Sequence, residues 1–344
     1  MAVAPNSAMT GAYRRIDDRL KAGGIVILDG GIGSELQDAG YPENAADRPA
    51  NFTWGTIAVR EAPDKLVEVH RRYAAAGADV LETHTFALNR VYSAIQSGKL
   101  DLPKDEWKRL ALDSVRLVRE GAAKAGRSDD YAVAFACRTM DWPADQQEEA
   151  RDYVGTYVPL DREGYLKPLA DLLANADADH KPDLILMEIQ KEIPENLEFP
   201  DYQVFLDTGI PLWISYRRSV GKIIGVDGET ILEDGDRFGR AAAKFEEMGA
   251  SAVLVNCLPP DLIHGVTTWL RQYTSLPIGA YPNWGRYLRY EWDWSTCPPP
   301  EVFVGHARKW ADEGMQIIGG CCGTRPVEIR GLVEAFKEPA LAGV

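Results

Sequence analysis

The sequence predicts an α/β chain folded as a single (β/α)8 TIM barrel, on three observations. Eight short β-prone runs recur along it, segments of helical periodicity lie between them, and its 344 residues suit a fold that typically takes about 250 plus loop insertions. The runs cover residues 24–28, 79–83, 132–136, 184–188, 211–215, 252–256, 278–281 and 316–319. Most are apolar on both faces, as parallel strands buried between two layers must be. Apolar residues recur at helical spacing over 64–76, 106–125, 162–175, 236–248, 261–273, 302–313 and 326–336. Ala76-Gly77-Ala78-Asp79 and Met248-Gly249-Ala250-Ser251 each read as a glycine helix stop feeding the next strand. A doubly wound open sheet is the alternative arrangement of the same elements.

One domain is expected over residues 1–344, with its core at about 24–336. The two longest connections, 140–162 and 282–300, follow the third and seventh predicted strands. In a barrel they lie at the C-terminal rim, the face that carries active sites. Lys plus Arg total 38 against 52 Asp plus Glu, a formal net charge of −14. The acids are spread along the chain, so the basic face that a nucleic-acid partner requires is missing. No apolar run reaches the roughly 18 residues of a membrane span. The first residues also lack the basic and apolar regions of a secretory signal. No membrane partner and a cytoplasmic location are therefore expected. The five cysteines, Cys137, Cys257, Cys297, Cys321 and Cys322, are too few and too irregularly spaced for a disulfide framework. Reduced thiols are expected, which points to metal binding or catalysis.

The strongest chemical signal is Gly319-Gly320-Cys321-Cys322-Gly323 after the last predicted strand, with Asn256-Cys257 ending the sixth. Adjacent side chains on a regular strand point to opposite faces, so two neighbouring thiols meet one ion only where the backbone leaves the strand. Flanking glycines permit that turn. With Cys257 brought alongside by barrel closure, three thiolates fill three tetrahedral positions on Zn2+ and leave a fourth open, as catalytic zinc does. A vicinal disulfide or buried, inert cysteines are the competing readings. Gly30, Gly31 and Gly33 lack the spacing of a dinucleotide fingerprint, and close backbone approach to a substrate is the better use for them.

Five ordered segments carry a wider resemblance, each at a predicted strand end. They are Leu28-Asp29-Gly30-Gly31-Ile32-Gly33-Ser34-Glu35-Leu36, Ala76-Gly77-Ala78-Asp79-Val80-Leu81-Glu82-Thr83-His84-Thr85-Phe86, Val255-Asn256-Cys257, Tyr281-Pro282-Asn283 and the Cys321-Cys322 segment. Over about residues 26–329 the chain resembles the zinc-dependent homocysteine S-methyltransferases, a family that includes the betaine-homocysteine enzymes. The resemblance implies the barrel, one Zn2+ held by Cys257, Cys321 and Cys322, and methyl transfer to the thiolate of L-homocysteine, giving methionine. Methylation of another small thiol or selenol is one alternative, and a zinc-barrel binding protein without turnover is another. A zinc hydrolase is weaker, because three thiolates make zinc electron-rich and a poor activator of water.

By the same resemblance, Asp29 and Glu188 bind the ammonium of the acceptor, while backbone amides near Gly30 and Thr83 meet its carboxylate. By residue type alone, Asp29 equally suits an N-cap of the next helix and Glu188 a rim ion pair. Methyl donors of the family are cationic, and such cations favour aromatic faces. Trp54, in Phe52-Thr53-Trp54, resembles the family segment that bears a donor-side tryptophan. Phe86, Trp142, Trp284, Trp292 and Trp294 are further aromatic candidates, the tryptophans among them equally suited to covering the rim. His84, where many members of the family carry Asn, is either a donor-side contact or an ordinary loop histidine. His70, His180, His264 and His306 are read as structural. The glycine-rich segment common in the family after the third strand is replaced by Ala136-Cys137-Arg138-Thr139-Met140-Asp141-Trp142, which remodels the donor side. Cys137 and Cys297 are read as structural rather than as ligands. Three thiolates and a zinc ion sum to about −1, and a bound substrate thiolate makes about −2, so a cationic donor is favoured. Because a sulfonium leaves as a neutral thioether, S-methylmethionine or S-adenosylmethionine ranks ahead of betaine, with methylfolate last.

Overall fold

Runs that are apolar on both faces are satisfied only between two apolar layers, and each of the eight becomes a parallel strand in the computed structural model of the chain. The structure describes residues 9–43, 53–141, 158–190, 193–217, 235–288, 291–293 and 297–337. The strands are β1 (Val26–Ile27), β2 (Val80–Glu82), β3 (Ala132–Cys137), β4 (Leu184–Gln190), β5 (Leu212–Arg217), β6 (Ala252–Asn256), β7 (Ile278–Tyr281) and β8 (Ile317–Ile318). Hydrogen bonding runs from β1 through β8, β7, β6, β5, β4 and β3 to β2. A parallel bridge between Leu28 and Val80 joins the two ends. There the Asp79 amide donates to Ile27 O at 2.7 Å and the Asp29 amide to Val80 O at 3.0 Å. The sheet is therefore a barrel, and the open-sheet alternative is set aside.

Alternation along each strand sorts its side chains. Val26, Leu28, Val80, Ala132, Ala134, Leu184, Leu186, Trp213, Ala252, Leu254 and Ile317 fill the barrel interior. Residues of the other parity, among them Ile27, Leu81, Val133, Phe135, Cys137, Ile185, Ile214 and Val253, pack outward under the helices. Continuing the inward parity upward leads to Glu82, Glu188, Ser215, Arg217 and Asn256 at the C-terminal layer.

The outer ring is built by amphipathic helices. α4 (Pro63–Ala76) starts on a proline in its first turn and ends on Gly77 at φ 95°, a left-handed cap that glycine adopts without strain. α6 (Glu106–Lys124), α9 (Gly235–Met248), α11 (Pro300–Asp312) and α12 (Pro326–Phe336) also follow the predicted periodicity. Two predicted helices are altered. Over 162–175 a wide turn (Arg162–Leu166) precedes α7 (Lys167–Ala174), and Tyr165 and Leu166 both donate to Asp161 O. Pro168, which lacks an N–H, follows immediately. Over 261–273 only α10 (Val266–Leu270) is α-helical, because Gly265 at φ 79° separates it from a tighter turn at Pro260–Leu262. Among the described residues, five helices lie outside the predicted segments: α1 (Gly11–Lys21), α2 (Ile32–Asp38), α3 (Thr53–Glu61), α5 (Leu88–Gln96) and α8 (Pro200–Leu206). Both long rim connections contain short antiparallel pairings, Met140–Asp141 with Val158–Pro159 and Arg286–Leu288 with Glu291–Asp293.

α1 stoppers the N-terminal end of the barrel. Thr10 caps it by accepting from the Tyr13 amide, and Tyr13, Ile16 and Leu20 join the interior cluster. The Trp213 indole N–H donates to Tyr13 Oη at 2.9 Å. Replacing Tyr13 with Ala removes a fully buried ring, and by analogy with other buried aromatics the expected loss is about 3–5 kcal/mol of unfolding free energy. Tyr13→Phe, which keeps the ring and removes the hydroxyl's hydrogen bonds with Trp213 and Ser251, should cost about 1–2 kcal/mol. Denaturant midpoints of the two variants check the difference.

Candidate metal centre and substrate pocket

Three backbone devices bring the predicted thiols together. Beyond β8 the chain turns back against the loop that follows β1. The Gly320 amide donates to Asp29 O at 2.9 Å, the Cys321 amide to Pro282 O at 2.7 Å, and Cys322 O accepts from the Trp284 amide at 2.8 Å. Ser34 Oγ accepts from the Gly323 amide at 3.0 Å, and the Tyr73 hydroxyl donates to Thr324 O at 2.7 Å. A Cβ on Gly31 would stand 2.7 Å from Cys321 O, and one on Gly30 would stand 2.6 Å from Thr324 O. These glycines are therefore needed for close packing of two protein loops, and Gly30 and Gly31 also line the pocket.

The third device is Cys257. As the residue after inward-facing Asn256 it should point outward, but it sits at φ 54°, a left-handed conformation that costs a non-glycine residue about 1–3 kcal/mol. This break in alternation brings its sulfur to the pocket. Ser215 Oγ donates to Asn256 Oδ1 at 2.9 Å, and Asn256 Nδ2 lies 3.5 Å from Cys257 Sγ. Such bonds behind a ligand orient it.

The sulfurs of Cys257, Cys321 and Cys322 lie within 4.8 Å of one another, and all are free thiols, so no vicinal disulfide links Cys321 and Cys322. Their 3.9 Å separation matches the edge of about 3.8 Å expected for tetrahedral zinc with Zn–S near 2.3 Å. Cys257 and Cys321 approach to 2.6 Å and would have to open by about 1 Å to share an ion. The donor set, three sulfurs at the wall of a pocket, fits zinc with one position left for a ligand. Cys322 is held well below the ordinary thiol range because Cys257 and Cys321 hydrogen-bond to it, with Arg217 adding attraction. Arg217 pairs in register with Asn256, so a cation borders the sulfur cluster and offsets part of the negative charge expected there.

Facing the sulfurs are carboxyl groups. Asp29 is fully buried, and its Oδ2 accepts from the Glu82 amide at 2.9 Å. Among the described residues its Oδ1 has no hydrogen-bond partner. α2 begins after Gly31 without a side-chain cap, so the capping role for Asp29 is excluded. Glu188 lines the pocket, and among the described residues its carboxyl makes no ion pair, which removes the rim-bridge reading. Ile189, next in sequence, sits at φ 54° beside a register shift in the β4–β5 pairing, a second break in alternation. Burial pushes the Glu188 carboxyl up to about 8, with the nearby Cys257 adding to the effect. Burial likewise raises Asp29 and Glu82 well above the carboxylate range.

Glu82 also lines the pocket and was not singled out from the sequence. The signal was present: it lies two residues beyond inward-facing Val80. Thr83 is at the pocket wall, but its amide donates to Ala134 O at 2.9 Å and its hydroxyl accepts from the Ala136 amide at 3.1 Å. The Thr83 amide is thus committed to the barrel ladder. His84 is 8% exposed, lines the pocket and has its ring against Gly55 of α3. Burial pushes its imidazole down to about 4, so it is neutral at physiological pH. Phe86 lies beside it at 5.6 Å between ring centroids. Trp54 falls in α3, and its side chain lies outside the described residues, as do those of Trp142, Trp292 and Trp294. Trp284 is buried edge-on against Phe303 and serves the wall. Cys137 faces outward in the core, Cys297 packs at the core's edge, and His70 is fully buried.

A barrel whose mouth gathers three thiols opposite three carboxyls defines a class of site that the comparisons identify. The chain belongs to the homocysteine S-methyltransferase family, whose model matches residues 26–336. It is 29% identical to homocysteine S-methyltransferase 4 of Zea mays, over 92% of this chain and 91% of that protein. It is 28% identical to the selenocysteine Se-methyltransferase of Brassica oleracea var. italica, over 91% and 89% respectively. Its fold is like that of the metallated form of the homocysteine methyltransferase MmuM from Escherichia coli, with a TM-score of 0.65, 21% identity and coverage of 94% of this chain and 99% of that one. Among the described residues no helix is long and apolar enough to cross a membrane.

The raised Glu188 carboxyl has a consequence for stability. Its folded value lies above its unfolded one of 4.5, so between these values the native state holds a proton that the unfolded state has lost. Stability from this group is complete below about pH 4.5 and falls as pH rises towards 8, by at most about 1.4 kcal/mol per pH unit. Unfolding free energy measured from pH 5 to 8 should therefore fall more steeply in the wild type than in Glu188→Gln.

Proposed function

We propose that the protein is a zinc-dependent methyltransferase that moves a methyl group from a cationic donor to the thiolate of L-homocysteine, giving methionine. The observation that carries this reading is the convergence on one pocket of three cysteine sulfurs with the Glu188 carboxyl, and with Asp29 buried next to pocket-lining Gly30 and Glu82. Zinc held by Cys257, Cys321 and Cys322 would supply a Lewis acid that keeps a fourth, substrate sulfur deprotonated at neutral pH.

The remaining work belongs to the chain. Asp29 Oδ1 and the Glu188 carboxyl take the acceptor's ammonium, whose charge lets a raised carboxyl ionise. The acceptor's carboxylate then falls to backbone on the Gly30 side, since the Thr83 amide is committed. Thr83 itself forms wall, with His84 and Trp54 on the donor side. Held at both ends, the acceptor presents its sulfur in one direction, and alignment of this kind is worth effective molarities of about 10⁵ M or more. Deprotonation alone is a smaller gain, because a thiol with a pKa near 8.5 is already about 3% thiolate at pH 7 and lowering its pKa weakens the nucleophile.

S-methylmethionine or S-adenosylmethionine is the favoured donor, for the charge reason given above. A selenol acceptor is the second reading, favoured by the likeness to a protein named as a selenocysteine Se-methyltransferase. Reduced thiols at the centre suit a cytoplasmic location.

Elemental analysis of reduced protein should find about one zinc per chain, and Cys257→Ala, Cys321→Ala or Cys322→Ala should each bring it near zero with loss of methyl transfer. Reduced wild-type protein unable to bind zinc would sink the reading. Trp54→Ala should raise the donor KM about tenfold, the scale of a desolvated cation–π contact. Zinc content and homocysteine affinity should stay within about twofold. Unchanged donor kinetics would remove Trp54 from the donor site.

A further inference from the structure

Away from the pocket, two side chains that the sequence reads as structural meet face to face. His264 lies between the tight turn Pro260–Leu262 and α10, and His306 lies in α11. They are 42 positions apart in the chain, so no ligand spacing marks them as a pair. In the fold, His264 Nε2 and His306 Nδ1 stand 3.3 Å from one another. Two nitrogens on tetrahedral zinc, with Zn–N near 2.0–2.1 Å, are separated by about 3.3–3.4 Å. The two atoms therefore need move neither apart nor together to share one ion. Both residues are partly exposed, so an ion can reach them from solvent.

The groups around the pair suit a cation. His264 Nδ1 faces Glu313 Oε1 at 3.6 Å, and Glu313 is fixed by the Gly265 amide, which donates to its Oε2 at 2.9 Å. A carboxylate behind an imidazole draws the proton to the nitrogen it faces and leaves the lone pair on the other. Here the lone pair falls on Nε2, the nitrogen turned to His306. Burial lowers the His306 imidazole below its ordinary range, with repulsion from His264 and Lys309 adding to the effect and Asp261 opposing it. That ring is neutral at pH 7, the form in which histidine binds metals. Lys309 repels an incoming ion, whereas Asp261 and Glu313 attract it. Both rings lie against Trp310, at 6.2 and 6.0 Å between centroids, and Trp310 is fully buried, which gives them a fixed backing.

We propose that His264 Nε2 and His306 Nδ1 form a second metal site, which takes one Zn2+ or a similar divalent transition ion with water in the remaining positions. Its ligands are imidazoles on the connection after β6 and on α11, and it shares no residue with the cysteine cluster. Imidazole suits zinc, copper and nickel. Two protein ligands hold an ion less firmly than the three or four of a closed site, so this ion exchanges with solvent at micromolar rather than tighter affinity. When bound, it joins the stretch of chain that runs on from Cys257 to the helix whose Phe303 packs on Trp284. The Trp284 amide in turn donates to Cys322 O. The inference does not depend on the methyl-transfer reading.

The test titrates reduced protein, first loaded with zinc and dialysed, with further Zn2+ in a calorimeter. Wild-type protein should take up about one more ion per chain than His264→Gln or His306→Gln. Zinc that survives dialysis should be the same in all three proteins, because it belongs to the cysteines. Failure of the cysteine centre, and of the methyl-transfer reading with it, would show in that retained zinc and not in the difference between wild type and the histidine variants. No further uptake by wild type, or equal uptake by the variants, overturns the proposal and leaves a plain hydrogen bond between the two rings. If a variant fails to fold, labelling of wild-type histidines with diethyl pyrocarbonate, mapped by peptide mass, decides instead. Added Zn2+ should then abolish labelling of His264 and His306 while leaving that of His180, which pairs with Asp177. Labelling of His264 and His306 that is equal with and without Zn2+ overturns the site.

Discussion

The close backbone approach between the turn after β1 and the turn after β8 is the constraint on which the rest of the site depends. Gly30 and Gly31 have no room for a Cβ against Thr324 O and Cys321 O, and Asp29 O receives the Gly320 amide. This seam follows the paired strands β1 and β8. A single contact therefore sets the location of two adjacent thiols and the position of a buried carboxyl. Cys257 arrives from β6, and its unfavourable backbone conformation is held by the Cys257 amide bond to Tyr281 O at 3.2 Å and by strand pairing on both sides of β6.

The mouth gathers groups that repel one another when ionised. Glu82 and Glu188 line one pocket with the thiols, Asp29 is buried against the Glu82 amide, and burial pushes all three carboxyls up. Arrangements of this kind disfavour the unliganded state and are relieved by cations, whether a metal ion among sulfurs or an ammonium among carboxyls. The layers beneath are apolar, from Leu28 and Leu186 down to Tyr13. The polar layer is thus a cap on a rigid interior, which suits a site that must keep its geometry while charges come and go.

Much of this was legible in the sequence through period-two alternation. Buried runs such as Ala132–Cys137 marked every strand, and parity places Cys137 outward and Glu188 inward. The same rule identifies Glu82, two residues beyond inward-facing Val80 and next to Thr83 and His84. What parity could not show were its own violations. Cys257 and Ile189 adopt left-handed backbone without being glycine, and no local residue type signals that. The short helices α2, α5 and α8, of seven to nine residues, span too few turns for a periodic pattern to emerge. The glycines after β1 read as making room for a substrate, and Gly30 and Gly31 do line the pocket; that they also pack against protein backbone requires knowing which loop lies opposite.

The stopper formed by α1 closes the N-terminal end of a barrel whose interior is already filled with side chains. With Tyr13, Ile16 and Leu20 joining that interior cluster, the two ends of the barrel divide their labour: the lower end is given to packing, and the mouth to the groups whose charge can change.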